Sequence, residues 1–295
     1  PKDQTTYTHL KRVDRSVYHY KNVLGLAKLC SAVGDSDFSK YEQQANDIKN
    51  DILNKMWDEE TEFFYDLHYE NDEKAMVKNI VGIYPHWAEI TEKKHLGGLE
   101  KLFAKEHFNT GCPFPSVSKE CKAYRPEGGW MGRFIKGRNG CVWCGPSWPY
   151  TTGIAIDAIG IESRRNDHCY DEQFAHVLRE YSLQHFRDRD IKKPYLVEHY
   201  HAETGEPLSD EVDYNHSFYL DLIMSYVAGI QITDDGVRFD PIDIGLDYFI
   251  LDKVQIRGDS YTISYKSEDC NDPRADDIEV GYNVYRNGSK LTGQV

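Results

Sequence analysis

Two apolar stripes of helical period, joined by a connection too short to do anything but reverse the chain, constrain this sequence most. Val17, Tyr20, Leu24 and Ala27 recur at three- and four-residue steps behind Asp14, a good N-cap, and the run stops at Gly34. Ser36 or Asp37 then opens a second run, with Phe38, Tyr41, Ala45, Ile48, Ile52 and Met56 along one face. A link of two or three residues predicts an antiparallel helical hairpin.

Further along, Trp57 to Asp66 reads as a turn into a short extended segment. Helices are expected near 75–84, over 91–105 behind Thr91, and over 147–161, 167–187 and 214–230. The stretch 106–146 is a long loop rich in Gly, Pro, Cys and aromatic residues, and loops of that length are usually functional. After Gly229 the character changes. Val237-Arg238-Phe239, Tyr248 to Leu251, Val254-Gln255-Ile256 and Tyr261 to Tyr265 are short β-type runs separated by turns such as Arg257-Gly258-Asp259. The expected architecture is therefore mainly α, with a helical portion over 1–233 and a small β-sandwich over 234–295.

The net charge of −14, with no Lys/Arg block, argues against nucleic acid or an anionic membrane as partner. No apolar run reaches the ~18–20 residues that span a bilayer. Pro1 to Thr6 lack a signal-peptide pattern. A neutral polar ligand fits better, and 21 Tyr, 12 Phe and 5 Trp supply faces on which sugar rings stack. Seven cysteines cannot all pair within one chain, so the compartment stays open, with an extracellular or periplasmic setting slightly ahead of the cytoplasm.

Three segments hold candidate chemistry. Pro194 to Pro207 places Glu198 among Tyr195, His199, Tyr200 and His201 in a loop between helices. A carboxylate so walled suits the base of an inverting glycoside hydrolysis, which activates water opposite a carboxylic acid ~6.5–9.5 Å away. The alternative is a loop carboxylate bonded to nearby amides, while Glu203 and Glu206 read as turn residues around Gly205. Cys141 to Gly153 brings Trp143, Trp148 and Tyr150 to a helix mouth behind Gly145-Pro146, either as a sugar platform or as a hydrophobic plug. Asp213-Tyr214-Asn215-His216-Ser217 opens the last long helix. Asn215 and His216 there could bind sugar hydroxyls, or Asp213 could be an N-cap and His216 an interior residue. Cys141-x-x-Cys144 with Cys112 and Cys121 raises a zinc knot, but the spacing is unusual and Trp143 sits inside it. No metal is assigned, and a disulfide within 112–144 is preferred for an exported protein.

Taken in order, these segments resemble the mannosylglycerate-hydrolase-like catalytic domain of bacterial (α/α)6 glycosidases, related to glycoside hydrolase family 63 and the trehalases. The resemblance runs through Leu53-x-x-x-Trp57-Asp58-x-Glu60-x-x-Phe63-Phe64, Gly145-Pro146-Ser147-Trp148-Pro149, Pro194-Tyr195-x-x-Glu198 with Thr204-Gly205, and Asp213 to Ser217. Phe239-x-Pro241 and Asp247-Tyr248-Phe249-x-Leu251 resemble the β-sandwich that follows the toroid. It implies an inverting O-glycoside hydrolase acting on an oligosaccharide or glycoside, without a cofactor. Glu198 would be the general base, Trp148 would line the subsite of the cleaved sugar, and Trp143 and His216 would lie close by.

Two departures matter. Ala202 replaces the usual Pro, and nothing in Pro1–Val13 matches the block that carries the general acid. The toroid is expected to be incomplete here, with the acid on upstream sequence and a polypeptide carrying the missing helices as a candidate partner. A toroid that binds carbohydrate without cleaving it is the rival reading.

Overall fold

A computed structural model describes residues 9–128 and 143–292. The hairpin forms as expected. Helix α1 (Val13–Val33) stops at Gly34, whose φ of 74° sets a left-handed cap that glycine adopts without strain. Helix α2 (Phe38–Asp51) returns against it and ends in a π-helical turn, Ile52–Met56. Val17, Ala27 and Ala45 are buried between them and the core, and so are Ile52 and Met56.

The start of α1 corrects one expectation. Its N-cap residue is Arg12, and Asp14 lies within the first turn, where it makes no cap bond. The cap comes from a distant segment: Asp66 accepts the Val13 N–H at 2.8 Å and pairs with the Arg12 guanidinium at 2.8 Å. Asp66 sits between two short antiparallel pairs that the Trp57–Asp66 reading anticipated in part. Strand β1 (Leu10–Lys11) pairs with β4 (Leu67–His68), and β2 (Trp57–Asp58) pairs with β3 (Phe63–Phe64).

The middle helices are shorter than expected or displaced. Residues 74 and 75 run extended against 66 and 67, so the helix expected near 75–84 begins only at a 3-10 turn, Ile80–Ile83, and becomes α3 (Tyr84–Trp87). In place of 91–105, a 3-10 turn Lys93–His95 leads into α4 (Leu96–Glu100). Glu92 caps it while the Thr91 hydroxyl bonds Glu162 at 2.6 Å. Gly97 and Gly98 give that turn little intrinsic drive to lengthen. Helix α5 (Pro149–Arg165) and helix α6 (Asp171–Gln184) follow. Positive φ at Asp167 and His168 excludes them from α6. Helix α7 (Phe218–Leu222) continues as a π-helical turn, Ile223–Val227. Asp213, for which an N-cap role was one of two readings, lies five residues upstream with φ 56°.

The sheet-rich part begins at Ile230. Strands β5 (Ile230–Thr233) and β6 (Gly236–Phe239) form a ribbon, and the runs read as 248–251 and 254–256 are one bulged strand, β7 (Tyr248–Ile256). With β8 (Asp259–Lys266), β9 (Gly281–Arg286) and β10 (Ser289–Lys290) it builds an antiparallel meander. Its tight turns use Arg257-Gly258 and Asn287-Gly288, all four at positive φ, as two-residue hairpins require. Asn287-Gly288-Ser289 is thus a β-turn. Ribbon and meander share an apolar core in which Ile230 and Phe239 meet Ile256, Tyr261, Ile263 and Val284.

Helix α5 holds these parts together. It is buried along most of its length and passes so close to the π-helical turn after α7 that a Cβ on Gly160 would lie 2.3 Å from the Tyr226 ring. Near its end the Arg164 guanidinium lies 4.5 Å over that ring and donates to the carbonyl oxygens of Ser225 and Asp240. Beyond α6, His185 donates through Nδ1 to the Tyr181 carbonyl at 2.8 Å and lies edge-on to Tyr200. Burial, with a smaller effect from His216, pulls this imidazole down to about 4.

Two outcomes follow from this packing. Gly160→Ala should destabilise the fold by about 1–3 kcal/mol through overpacking against Tyr226, read as a lower urea midpoint with the slope unchanged. His185 is neutral in the fold at pH values where an unfolded chain already protonates it. Its contribution to stability is therefore full above about 6.5 and declines as pH falls toward about 4, by up to ~3 kcal/mol. Urea titrations at pH 7 and 4.5 should show a smaller pH difference in His185→Gln than in the wild type.

Candidate active site

The loop between α6 and α7 is irregular but tightly held. Tyr200 exchanges both backbone hydrogen bonds with Ser147, each 2.9 Å, and Ser147 lies just before α5. Ala202 accepts from the Cys112 N–H at 2.8 Å and Leu208 N–H donates to the His199 carbonyl at 3.1 Å. The Tyr200 hydroxyl turns back under the loop, accepting from Val197 N–H at 3.1 Å and donating to the Tyr195 carbonyl at 3.0 Å. His216 Nε2 donates to the Val197 carbonyl at 2.9 Å. Thus the residues on both sides of Glu198, Val197 and His199, are buried and fixed, while the Glu198 side chain keeps 18% of its surface open. Such a carboxylate is preorganised and still reachable by a polar ligand.

Beside it stands an aromatic stack. Trp148 is buried at the N-cap of α5, with His199 stacked on it at 4.4 Å and 17° and Trp143 at 4.1 Å and 8°. Trp143 is the exposed member, so the stack reaches from solvent inward to the residue next to Glu198. The His199 Nδ1 lies 3.8 Å from Glu198 Oε2. Backbone crowding explains the Gly-Pro before α5: a Cβ on Gly145 would fall 2.3 Å from the Arg125 carbonyl oxygen. Pro149 then occupies the first turn of α5, where a missing N–H costs nothing.

The site residues expected from sequence divide accordingly. Glu198, Trp148 and Trp143 come together. Tyr150 points elsewhere, its phenol within hydrogen-bond distance of the Tyr18 phenol on α1, and it remains exposed. Asn215 is exposed, and half-buried His216 braces the loop from behind, its pKa lowered by burial. His199, one of the imidazoles around Glu198, is the inner face of the stack. Its signal in sequence was only its place beside Glu198.

The loop after α4 also differs from expectation. Cys112, Cys121 and Cys144 are thiols not bonded to one another, and Cys112 is fully enclosed with burial pushing its thiol up to about 12. The expected disulfide is therefore not formed among these three, and Cys141 lies outside the described residues. Among the described residues no set of three His, Cys, Asp or Glu side chains converges on a metal position. No helix among them is long and apolar enough to cross a membrane. Glu203 takes part in the turn, accepting from the Tyr124 hydroxyl at 2.7 Å.

Known proteins resemble this chain at several levels. An uncharacterized protein of Borreliella burgdorferi is 28% identical over 118 residues, covering 39% of this chain and 25% of that protein. Among solved structures, one described as a sialidase superposes with a TM-score of 0.81 at 20% identity, covering 97% of this chain and 26% of that one. The GH63 mannosylglycerate hydrolase from Thermus thermophilus, solved in complex with glucose, gives a TM-score of 0.54 at 18% identity over 73% of this chain and 45% of that chain. The chain thus spans about a quarter of the length of the curated relative it matches. Residues 2–217 match the mannosylglycerate hydrolase MGH1-like glycoside hydrolase domain, and the chain belongs to that family.

Proposed function

We propose that this chain forms the carboxyl-terminal part of an (α/α)6 toroid in an inverting glycoside hydrolase, with Glu198 as its general base. The observation that carries the reading is the pairing of a fixed, partly open carboxylate with a stacked aromatic wall, on a family domain that is glycosidic by descent. In the proposed reaction Glu198 takes a proton from the attacking water as its oxygen reaches the anomeric carbon. A carboxylic acid on sequence outside this chain protonates the leaving oxygen from the opposite face. Trp143 offers its exposed face to the C–H surface of the sugar, and Trp148 and His199 hold that face rigid. Asn215 and His216 bound the far side of the loop, Asn215 as a candidate hydroxyl ligand and His216 as a brace on the Val197 carbonyl.

The helical portion, proposed as 1–233, supplies this site, and the β appendage follows it. Pairing of β5 with β6 favours drawing that boundary before Ile230. The partners under this reading are a glycoside or oligosaccharide substrate and the polypeptide segment that supplies the acid and the remaining helices.

Hydrolysis of a disaccharide panel by the complete protein, with the anomer of the first product followed by proton NMR, tests the reading. The expected first product has the anomeric configuration opposite to the substrate's; retention would overturn it. Glu198→Gln should lower the hydrolytic rate by about 10²–10⁴-fold while sugar affinity changes little. Full activity in that variant would remove Glu198 from the role of base. Trp143→Ala should weaken saccharide binding several-fold without altering the unfolding midpoint, because this ring is the exposed end of the stack.

A further inference from the structure

The two-stranded ribbon of β5 and β6 covers the four-stranded meander only in part. Beside it runs a groove of about 700 Å³, lined by every residue from Asp235 to Phe239 and by Ile256, Arg257, Tyr261 and Arg286 of the meander. The register of the ribbon fixes which backbone groups face this groove. Thr233 opposes Gly236 across a tight turn, and at the other end the Asp240 N–H donates to the Gly229 carbonyl at 2.8 Å. Hydrogen-bonded pairs alternate along an antiparallel ladder, so Gly236, Arg238 and Asp240 bond to the strand opposite. Val237 and Phe239 therefore turn their N–H and C=O groups away from β5, and no backbone partner takes them among the described residues.

The groove is also cationic, on a chain whose net charge is −14. Arg286 stands opposite Tyr261 in the register and is held by Asp259, whose other oxygen accepts from Asn287 at 2.7 Å. Arg238 and Arg257 form no ion pair among the described residues, and Asp235 is the one other carboxylate in the lining. A strand laid beside another takes ~4.8 Å of width, ~10 Å of depth between stacked sheets and ~3.4 Å of length per residue. By that measure the groove holds about four residues, which is the length of β6.

We propose that the free edge of β6 is a strand-addition site for an extended segment of another polypeptide in which apolar and acidic residues alternate. The added main chain bonds Val237 and Phe239, its apolar side chains cover Ile256 and Tyr261, and its carboxylates meet Arg238, Arg257 and Arg286. An unpaired edge of this kind is a ready template for such pairing. The inference is independent of the glycosidase reading, because it uses none of the residues around Glu198.

A short blocked peptide that alternates valine and glutamate, titrated into the 295-residue chain and followed by NMR and hydrogen exchange, provides the test. With peptide bound, the amide protons of Val237 and Phe239 should exchange more slowly by about tenfold or more. Val237→Pro removes a donor that β5 does not use, so it should abolish binding and leave the unfolding midpoint nearly unchanged. If that variant fails to fold, Arg257→Asn decides. Asparagine tolerates the positive φ of this turn, and the lost charge should weaken binding by about threefold or more. A peptide with lysine in place of glutamate should not bind, and equal binding of it overturns the choice of an acidic partner. No binding of the glutamate peptide, or binding that leaves both amides exchanging as before, overturns the proposal. Slow exchange of the two amides without peptide also overturns it: in a monomer the edge is filled from within the chain, and in a dimer by a second copy.

Discussion

Glu162 lies on a helix that water scarcely reaches, so its carboxylate must be bonded from within the protein. His86 Nδ1 at 2.9 Å, the Thr91 hydroxyl at 2.6 Å, Arg165 at 3.0 Å and Asn166 at 3.2 Å provide those bonds. Burial alone would raise the Glu162 carboxyl, yet His86 and the other partners hold it below the ordinary range. Removing one partner from such a group typically costs several kcal/mol, because the remaining charge stays buried. The helix α5, which carries it, is thereby tied to α3 and to the turn before α4. Asp157, on the same helix, accepts from the Trp87 indole at 2.9 Å and from the Tyr226 hydroxyl, which ties it to α3 again and to the end of the helical part.

The position of α5 then determines the site. Its N-terminus delivers Trp148 into the stack and Ser147 into the pairing with Tyr200, and its C-terminus fixes the β appendage through Arg164. One buried helix therefore sets both the orientation of the aromatic wall and the register of the Glu198 loop. The loop needs no regular secondary structure, since Tyr200, His216 and Ser147 satisfy its polar groups one by one. The backbone on either side of Glu198 is thus held by the scaffold.

Much of this was legible from residue order. The hairpin of α1 and α2 followed from periodicity and from Gly34, and the strands β6, β7 and β8 of the sheet-rich part from β-branched and aromatic runs cut by turns such as Arg257-Gly258. The site segments were also visible, because aromatic, imidazole and carboxylate groups clustered in loops carry their chemistry locally. The short extents of the helices at 84–87 and 96–100 were not, since the first is held by packing against α5 and the second by packing against β3 and the Ile80–Ile83 turn, not by propensity. The meeting of the Tyr150 phenol with that of Tyr18 on α1 was not legible either, because it joins residues 132 positions apart.

Sequence alone determined the helical hairpin at the start and the location of the change from helices to strands. Those properties depend on contacts within a few residues, where periodicity and turn chemistry act. Tertiary structure decided that Asp66 and not Asp14 caps α1, that Cys112 stays a buried thiol, and that His199 backs Trp148. Each of these joins residues far apart in the chain or sets the facing of rings on separate segments. Such pairings follow from how α5 is enclosed, and no local pattern of residues encodes that enclosure.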